Sequence, residues 1–198
     1  MSSFCLRGKR DMIDKSLPYI GVLMTKSDIG TYPHFDLPKG FSFSFYQAGY
    51  EDAWAELMFG VDQTDTLQEA KDIFRSEFLS RPELLQTHCL FVLDQHNRVA
   101  ATGSIWPGDH FGRELLRIHW VACAPEHQGK GIVKALMTKL MGIVNALKYQ
   151  DLLYLTSQTW SYKALGLYAR FGFLPYMDEN QAEAAWALID KKLSEYTS

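Results

Sequence analysis

The sequence predicts an α/β fold built on a mostly antiparallel sheet, and three observations carry that prediction. Four β-rich stretches come early with helices between them, then the order changes to strand–helix–strand–helix, the pattern of a layered α/β domain. The longest periodic stretch, after residue 131, is helical, and the most strand-like stretch, Leu115 to Cys123, precedes it directly. Finally, 198 residues with 47% apolar and 22% charged side chains match one ordinary globular domain, which excludes disorder, collagen and coiled coil for the whole chain.

The elements follow in order. Residues 1–11 are basic and polar and are expected to be a disordered leader, with Met12 a possible start; residues 12–198 then form one domain. Within it, 12–40 is an N-terminal strand and loop: Tyr19 to Thr25 is β-rich, and Gly30, Pro33, Pro38 and Gly40 punctuate the return. Phe41 to Tyr46 alternates aromatic and serine residues, so one face is expected to be buried. Glu51 to Met58 and Leu67 to Leu79 place Trp54, Leu57 and Met58, then Ile73, Phe74 and Phe78, on apolar helix faces, and Pro82 is expected to end that region. Cys89 to Asp94 and Val99 to Ile105 flank the polar turn Gln95-His96-Asn97 as a hairpin. After Leu115 to Cys123, a helix carries Ile132, Leu136, Leu140, Ile143 and Leu147 in a stripe widened by Val133, Met137, Met141 and Val144. Leu152 to Thr156 is a buried strand, Tyr162 to Phe171 a short helix stopped by Gly172, Phe173 to Tyr176 an extended piece, and about 182–196 a terminal helix.

Charge and cysteine content exclude several functions. A net charge of −3 and a pI near 6.1 do not suit a protein that neutralises many phosphates, so no nucleic-acid partner is expected. No apolar run approaches the ~20 residues of a membrane span, so no membrane partner is expected either. Cys5, Cys89 and Cys123 are an odd number without metal-ligand spacing; Cys89 and Cys123 sit in apolar runs as buried thiols, which fits a reducing, cytoplasmic setting. The six histidines show no metal-binding grouping, and no metal is expected.

The sharpest chemical feature is Gln128-Gly129-Lys130-Gly131, between the strongest strand and the strongest helix. Two glycines let the backbone turn tightly and approach a ligand. The next amides are unpaired donors at the positive end of a helix dipole, where a pyrophosphate would meet several at once, with Lys130 and Lys134 adding charge. The same residues also suit a tight turn with no ligand. Neither a Walker loop nor the dinucleotide glycine fingerprint is present.

The run Val121-Ala122-Cys123-Ala124-Pro125-Glu126-His127-Gln128-Gly129-Lys130-Gly131-Ile132 resembles the acetyl-CoA-binding motif of the GNAT N-acetyltransferases, Gln/Arg-x-x-Gly-x-Gly/Ala after a strand. About thirty residues on, Ser161-Tyr162-Lys163-Ala164-Leu165-Gly166-Leu167-Tyr168-Ala169-Arg170-Phe171-Gly172-Phe173 resembles the family's second signature, Asn-x-x-Ala-x-x-Leu-Tyr-x-x-x-Gly-Phe. The resemblance is sharp over about 115–176, inside a CoA-binding core of about 87–176, and implies helices on both faces of the sheet. Val133 stands where the family has Gly or Ala, which puts a branched side chain near the expected pyrophosphate. Ser161 replaces the usual Asn and is expected to cap the following helix. The tail after Tyr176 looks helical where the family often continues into a strand.

The resemblance implies transfer of an acetyl group from acetyl-CoA to a primary amine of a small-molecule or peptide acceptor, by direct attack in a ternary complex; dimers occur among relatives. Acetyl-CoA would contact Val121, Ala122 and Cys123 through the strand backbone, Gln128, Gly129, Lys130, Gly131, Ile132, Val133 and Lys134 at the turn, and Ser161, Ala164 and Tyr168 on the later helix. One strand amide would face the thioester oxygen, a fixed donor worth ~3 kcal/mol of barrier. Tyr168 matches the tyrosine that protonates the departing thiolate. His119 is the candidate base: alternation places Arg117, His119 and Val121 on one strand face, opposite Leu116, Ile118 and Trp120. A structural histidine is the other reading, and Glu114 or water the competing base. Trp106, Trp120, Trp160 and Tyr162 are candidates for an aromatic wall at the acceptor, and Asp62, Asp65 and Asp109 for acidic surface charge. A CoA-binding module without turnover and an unrelated nucleotide-binding protein are the rival readings.

Overall fold

The computed structural model describes residues 13–197, so the proposed leader, Met12 and Cys5 lie outside the described residues. Seven strands form one sheet: β1 (Gly21–Lys26), β2 (Ser42–Phe45), β3 (Cys89–Leu93), β4 (Val99–Gly108), β5 (Leu115–Cys123), β6 (Leu153–Gln158) and β7 (Leu174–Pro175). Their spatial order is β2-β3-β4-β5-β6-β1-β7, and every pairing is antiparallel except β5 with β6. The helices are α1 (Tyr50–Gly60), α2 (Leu67–Ile73), α3 (Pro82–His88), α4 (Ile132–Ala146), α5 (Tyr162–Arg170) and α6 (Ala182–Thr197).

Helices cover both sheet faces, as expected. On one face, Leu136, Met137, Leu140, Met141 and Val144 of α4 pack with Ile118 and Cys123 of β5, and Phe171, Phe173, Trp186 and Ile189 complete that core. On the other, Trp54, Phe74, Phe78 and Trp106 cluster, with ring centroids 4.7–5.6 Å apart between Trp54 and Phe78, Phe74 and Phe78, and Phe78 and Trp106. Such aromatic pairs contribute about 0.5–1.5 kcal/mol each beyond area burial. Cys89 and Cys123 are buried free thiols, each pushed up to about 12, Cys89 by burial and Cys123 by burial and Glu126.

Five local expectations are corrected. Pro82 begins a helix: it occupies the first turn of α3, where its missing N–H costs nothing. The second helical stretch changes after Ile73 into a π turn over Phe74–Phe78, which period-3.6 reasoning does not anticipate. Leu147 caps α4 and is 48% exposed, outside the apolar stripe. β2 is an edge strand, so Phe45 is 38% exposed where a buried face was expected. The alternation expected along β5 breaks at Trp120, as described below.

The sheet is closed at the β6 side from the N-terminus. β1 pairs with β6 from Gly21↔Gln158 to Lys26↔Leu153 and carries β7 on its outer side through Met24↔Pro175 and Thr25↔Leu174. The helical tail is therefore consistent with a complete sheet, and α6 instead packs on α5 and β1.

Candidate active site

The site begins where β5 and β6 part. These parallel neighbours share a single registered pair, Arg117↔Tyr154, and continue to Cys123 and Gln158 without another. On its other side β5 carries an extra residue: Thr102 faces Ala122 and Ser104 faces His119, so three steps on β5 match two on β4. Trp120 absorbs the mismatch at φ +48°, a left-handed conformation rare for a bulky residue and of order 1–3 kcal/mol in strain. Beyond Arg117↔Tyr154 the β5 backbone has no registered partner on β6, so the stretch up to Cys123 borders the opening between these strands.

The bulge also corrects the expected facing. Arg117 and His119 do share a face, but Trp120 joins them over the aromatic core, and Val121 turns to the opposite face beside Ile118. Period two fails here because one inserted residue reverses every later position.

Two cavities open on the splayed strands. One, of about 450 Å³, is lined by Val121–Cys123, by 127–129 and 131–134, by Lys163, Leu167 and Arg170 of α5, and by Leu193 and Tyr196 of α6. The other, of about 430 Å³, is lined by Ile118–Cys123, Leu155–Gln158, Tyr19, Asp62, Asp65, Trp160 and Ser161. Val121, Ala122, Cys123, Ala164 and Tyr168 belong to both. Tyr168 stands at the junction, almost fully buried, and burial pushes its hydroxyl far above the ordinary tyrosine value.

The glycine turn is built to present amides. Gly129 and Gly131 have φ of +76° and +86°, a region L side chains rarely adopt, and a Cβ on Gly131 would meet nothing within 4 Å. Gln128 Nε2 donates to the Cys123 carbonyl at 3.1 Å, tying the turn to the strand end. No side chain caps α4. Its first amides therefore keep their donors at the positive dipole end, beside open space and Lys134. This arrangement fits a diphosphate ligand such as that of acetyl-CoA. Lys130 does not line the cavity; its Nζ donates to His127 Nδ1 at 3.3 Å.

His119 lines the second cavity, and its Nε2 is bonded to Glu77 of the π turn. Trp120 Nε1 donates to the same carboxylate at 3.2 Å, and Arg117 Nη2 lies 3.5 Å from it. Burial lowers the His119 pKa, with the Arg117 charge adding to this and the Glu77 contacts opposing it. Burial would raise Glu77, but His119, Trp120 and Arg117 together hold it below the usual carboxylate value.

Other expected residues fall elsewhere. Glu114 is 64% exposed, is bonded by Arg81 Nη1 at 3.0 Å and lines neither cavity. Ser161 makes no helix-cap bond; its Oγ accepts from Gln158 Nε2 at 3.1 Å, and it lines the second cavity. Val133 lines the first cavity. Of the aromatic candidates, Trp120 and Trp160 line the second cavity, while Trp106 and Tyr162 are buried in packing. Asp62 and Asp65 line it too, and Asp109 does not.

Residues that the sequence did not single out are Glu77, Lys163, Arg170, Leu193 and Tyr196. Glu77 had one faint signal, an acid flanked by Phe74 and Phe78 on an apolar helix face. The α6 residues had none, because their approach to the turn is tertiary. No group of three His, Cys, Asp or Glu that could hold a metal occurs among the described residues, and none of their helices is long and apolar enough to cross a membrane.

Residues 46–173 match the model of the Acetyltransferase (GNAT) family. The chain belongs to that family. A GNAT fold also appears in the solved structures it resembles. A GCN5-related N-acetyltransferase from Sphaerobacter thermophilus aligns at TM-score 0.60 and 20% identity, over 79% of this chain and 48% of that one. A tandem GNAT protein from the clavulanic acid biosynthesis pathway aligns at 0.58 and 13%, over 83% and 52%. An acetyltransferase from Trypanosoma brucei aligns at 0.51 and 20%, over 71% and 96%. This GNAT chain thus spans about half the length of the first two; no curated protein matches it by sequence.

Proposed function

We propose that this GNAT protein is an N-acetyltransferase that moves an acetyl group from acetyl-CoA to a primary amine, most simply a small molecule, by direct attack in a ternary complex. The single observation supporting this best is the junction of two cavities at Val121–Cys123, Ala164 and Tyr168. A donor and an acceptor entering from opposite sides would meet there without a covalent enzyme intermediate.

In this reading acetyl-CoA supplies the acetyl thioester, with its diphosphate held by the amides of residues 131–134 and by Lys134. The amine nitrogen attacks the acetyl carbonyl carbon, and the bulged β5 backbone donates to the oxygen as charge builds there. His119, kept neutral near pH 7 by its lowered pKa, takes a proton from the attacking nitrogen. As the carbon–sulfur bond breaks, the sulfur takes the Tyr168 proton, which that hydroxyl carries near pH 7. Asp62 and Asp65, with Trp120 and Trp160, suit a cationic acceptor. Glu114 is not favoured as the base, because Arg81 holds it outside both cavities.

The test is thiol release from acetyl-CoA across a broad amine panel, followed by His119→Ala. We expect an amine-dependent reaction whose acidic pH limb shifts or disappears in the variant; an unaltered limb would favour water. A second reading, CoA binding without turnover, is supported by Val133 in the donor cavity and would show as binding with no transfer to any amine. The rival of an unrelated nucleotide-binding protein falls with the family match.

A further inference from the structure

Glu77 is an acid that the proposed chemistry does not use, on an element far from every motif in the chain. It belongs to the π turn Phe74–Phe78, where an added residue in one helical turn re-aims side chains. That turn is fixed from behind: Phe74 and Phe78 are fully buried, and Phe78 packs 4.7 Å from Trp106 and 6.0 Å from His119 between ring centroids. The carboxylate so placed gathers His119 Nε2, Trp120 Nε1 and Arg117. His119 immediately precedes the bulge and Trp120 sits in it, so one acid holds both the histidine and the strained residue beside it.

The geometry points to Glu77 as the positioning residue of His119: it takes the Nε2–H of the neutral ring, fixes that tautomer, and leaves Nδ1 as the nitrogen that accepts the amine proton. This rests on His119 being the base, but the fixed tautomer can be observed without any turnover. An unheld imidazole would divide between two tautomers and two ring orientations, whereas a carboxylate on Nε2 leaves the lone pair on Nδ1. A partner on the other ring nitrogen is the usual way in which the choice is made. The charged groups facing His119 are Glu77 from the π turn and Arg117 from its own strand, with Asp62, Asp65, Lys15 and Tyr168 lining the same cavity.

The sign of the electrostatic effect follows. Glu77 supports the protonated ring and Arg117 opposes it. Removing the carboxylate charge leaves Arg117 unbalanced, so His119 should titrate at still lower pH.

The experiment is a pH titration of the full chain with nitrogen-15-labelled histidine, read by two-bond proton–nitrogen correlations, for the native protein, Glu77→Gln and Glu77→Ala. Native His119 should be the Nε2–H tautomer above its pKa. Glu77→Ala should give a tautomer mixture, and Glu77→Gln, the milder change should the alanine variant fail to fold, should lower the His119 pKa. A native Nδ1–H tautomer, or an unmoved or raised pKa in Glu77→Gln, would overturn the positioning role. The kinetic counterpart uses any amine the native enzyme accepts: Glu77→Ala should lower kcat about 10-fold or more with KM for acetyl-CoA little changed, and should add nothing in a His119→Ala background. Independent, additive losses would contradict positioning. If His119→Ala alone leaves the acid limb intact, the base assignment fails whatever the tautomer data show.

Discussion

The two cavities of this GNAT protein, proposed above as its donor and acceptor sides, are built in different ways. The donor cavity is largely one continuous piece of chain: strand end, glycine turn and first turn of α4, all within Val121 to Lys134, with α5 added after one helix and one strand. The acceptor cavity is gathered from Tyr19, from Asp62 and Asp65 after α1, from β5 and β6, and from Trp160. His119 meets Glu77 across 42 positions of sequence, and Trp160 Nε1 reaches the Leu17 carbonyl across 143. In the proposed function backbone amides hold the donor and side chains the acceptor, so the first side can be specified by a short motif and the second only by the whole fold.

Substitutions can break that contrast or sharpen it. The largest effect is expected at the junction: Tyr168→Phe should reduce turnover about 10²–10⁴-fold while leaving acetyl-CoA binding nearly unchanged. Steady-state kinetics beside calorimetry checks it, and unaltered turnover would remove Tyr168 from the mechanism. Next comes Phe78→Ala behind the acceptor side. Emptying that fully buried site should cost about 3–5 kcal/mol of stability by denaturant titration. Acetyl-CoA affinity of the protein that stays folded should hold within a few fold; a large loss would show that the two sides are not separable.

A smaller effect concerns pH. The buried His119 has a folded-state pKa below its ordinary value near 6.5, so the unfolded chain takes up a proton first as pH falls. Folding stability should therefore be full above about pH 6.5 and decline from there toward the lowered pKa. Glu77 adds a loss in the same direction at lower pH, below the ordinary carboxylate value, since its own pKa is lowered too. Melting temperatures between pH 8 and 5 should fall less in His119→Gln than in the native protein; an equal or steeper fall would contradict the assignment. The smallest change expected is a few-fold gain in acetyl-CoA affinity for Val133→Gly, which removes a branched side chain from the donor cavity but also weakens the start of α4 by about 0.3–0.5 kcal/mol.

What the sequence shows and hides follows the same division. Leu115 to Cys123, the glycine turn and the α4 stripe are legible because local periodicity and glycine chemistry decide them. The terminal helix is legible too, its apolar spacing matching α6. The bulge at Trp120 is not, because nothing in a residue's type marks an extra position in a ladder, and so Val121 was expected on the face of His119. Glu77 is missed for a related reason: the π turn shifts its aim by a residue that period 3.6 does not contain. The completion of the sheet by β1 is a long-range pairing between Gly21–Lys26 and Leu153–Gln158, which no local pattern encodes.

The central claim is that the uncapped start of α4 and the cavity beside it bind acetyl-CoA. Calorimetric titration of the full chain with acetyl-CoA, CoA and ATP tests it most directly. Micromolar binding of acetyl-CoA and CoA, and none of ATP, is expected. Binding of ATP alone, or no binding of acetyl-CoA by either the native protein or Val133→Gly, would contradict it.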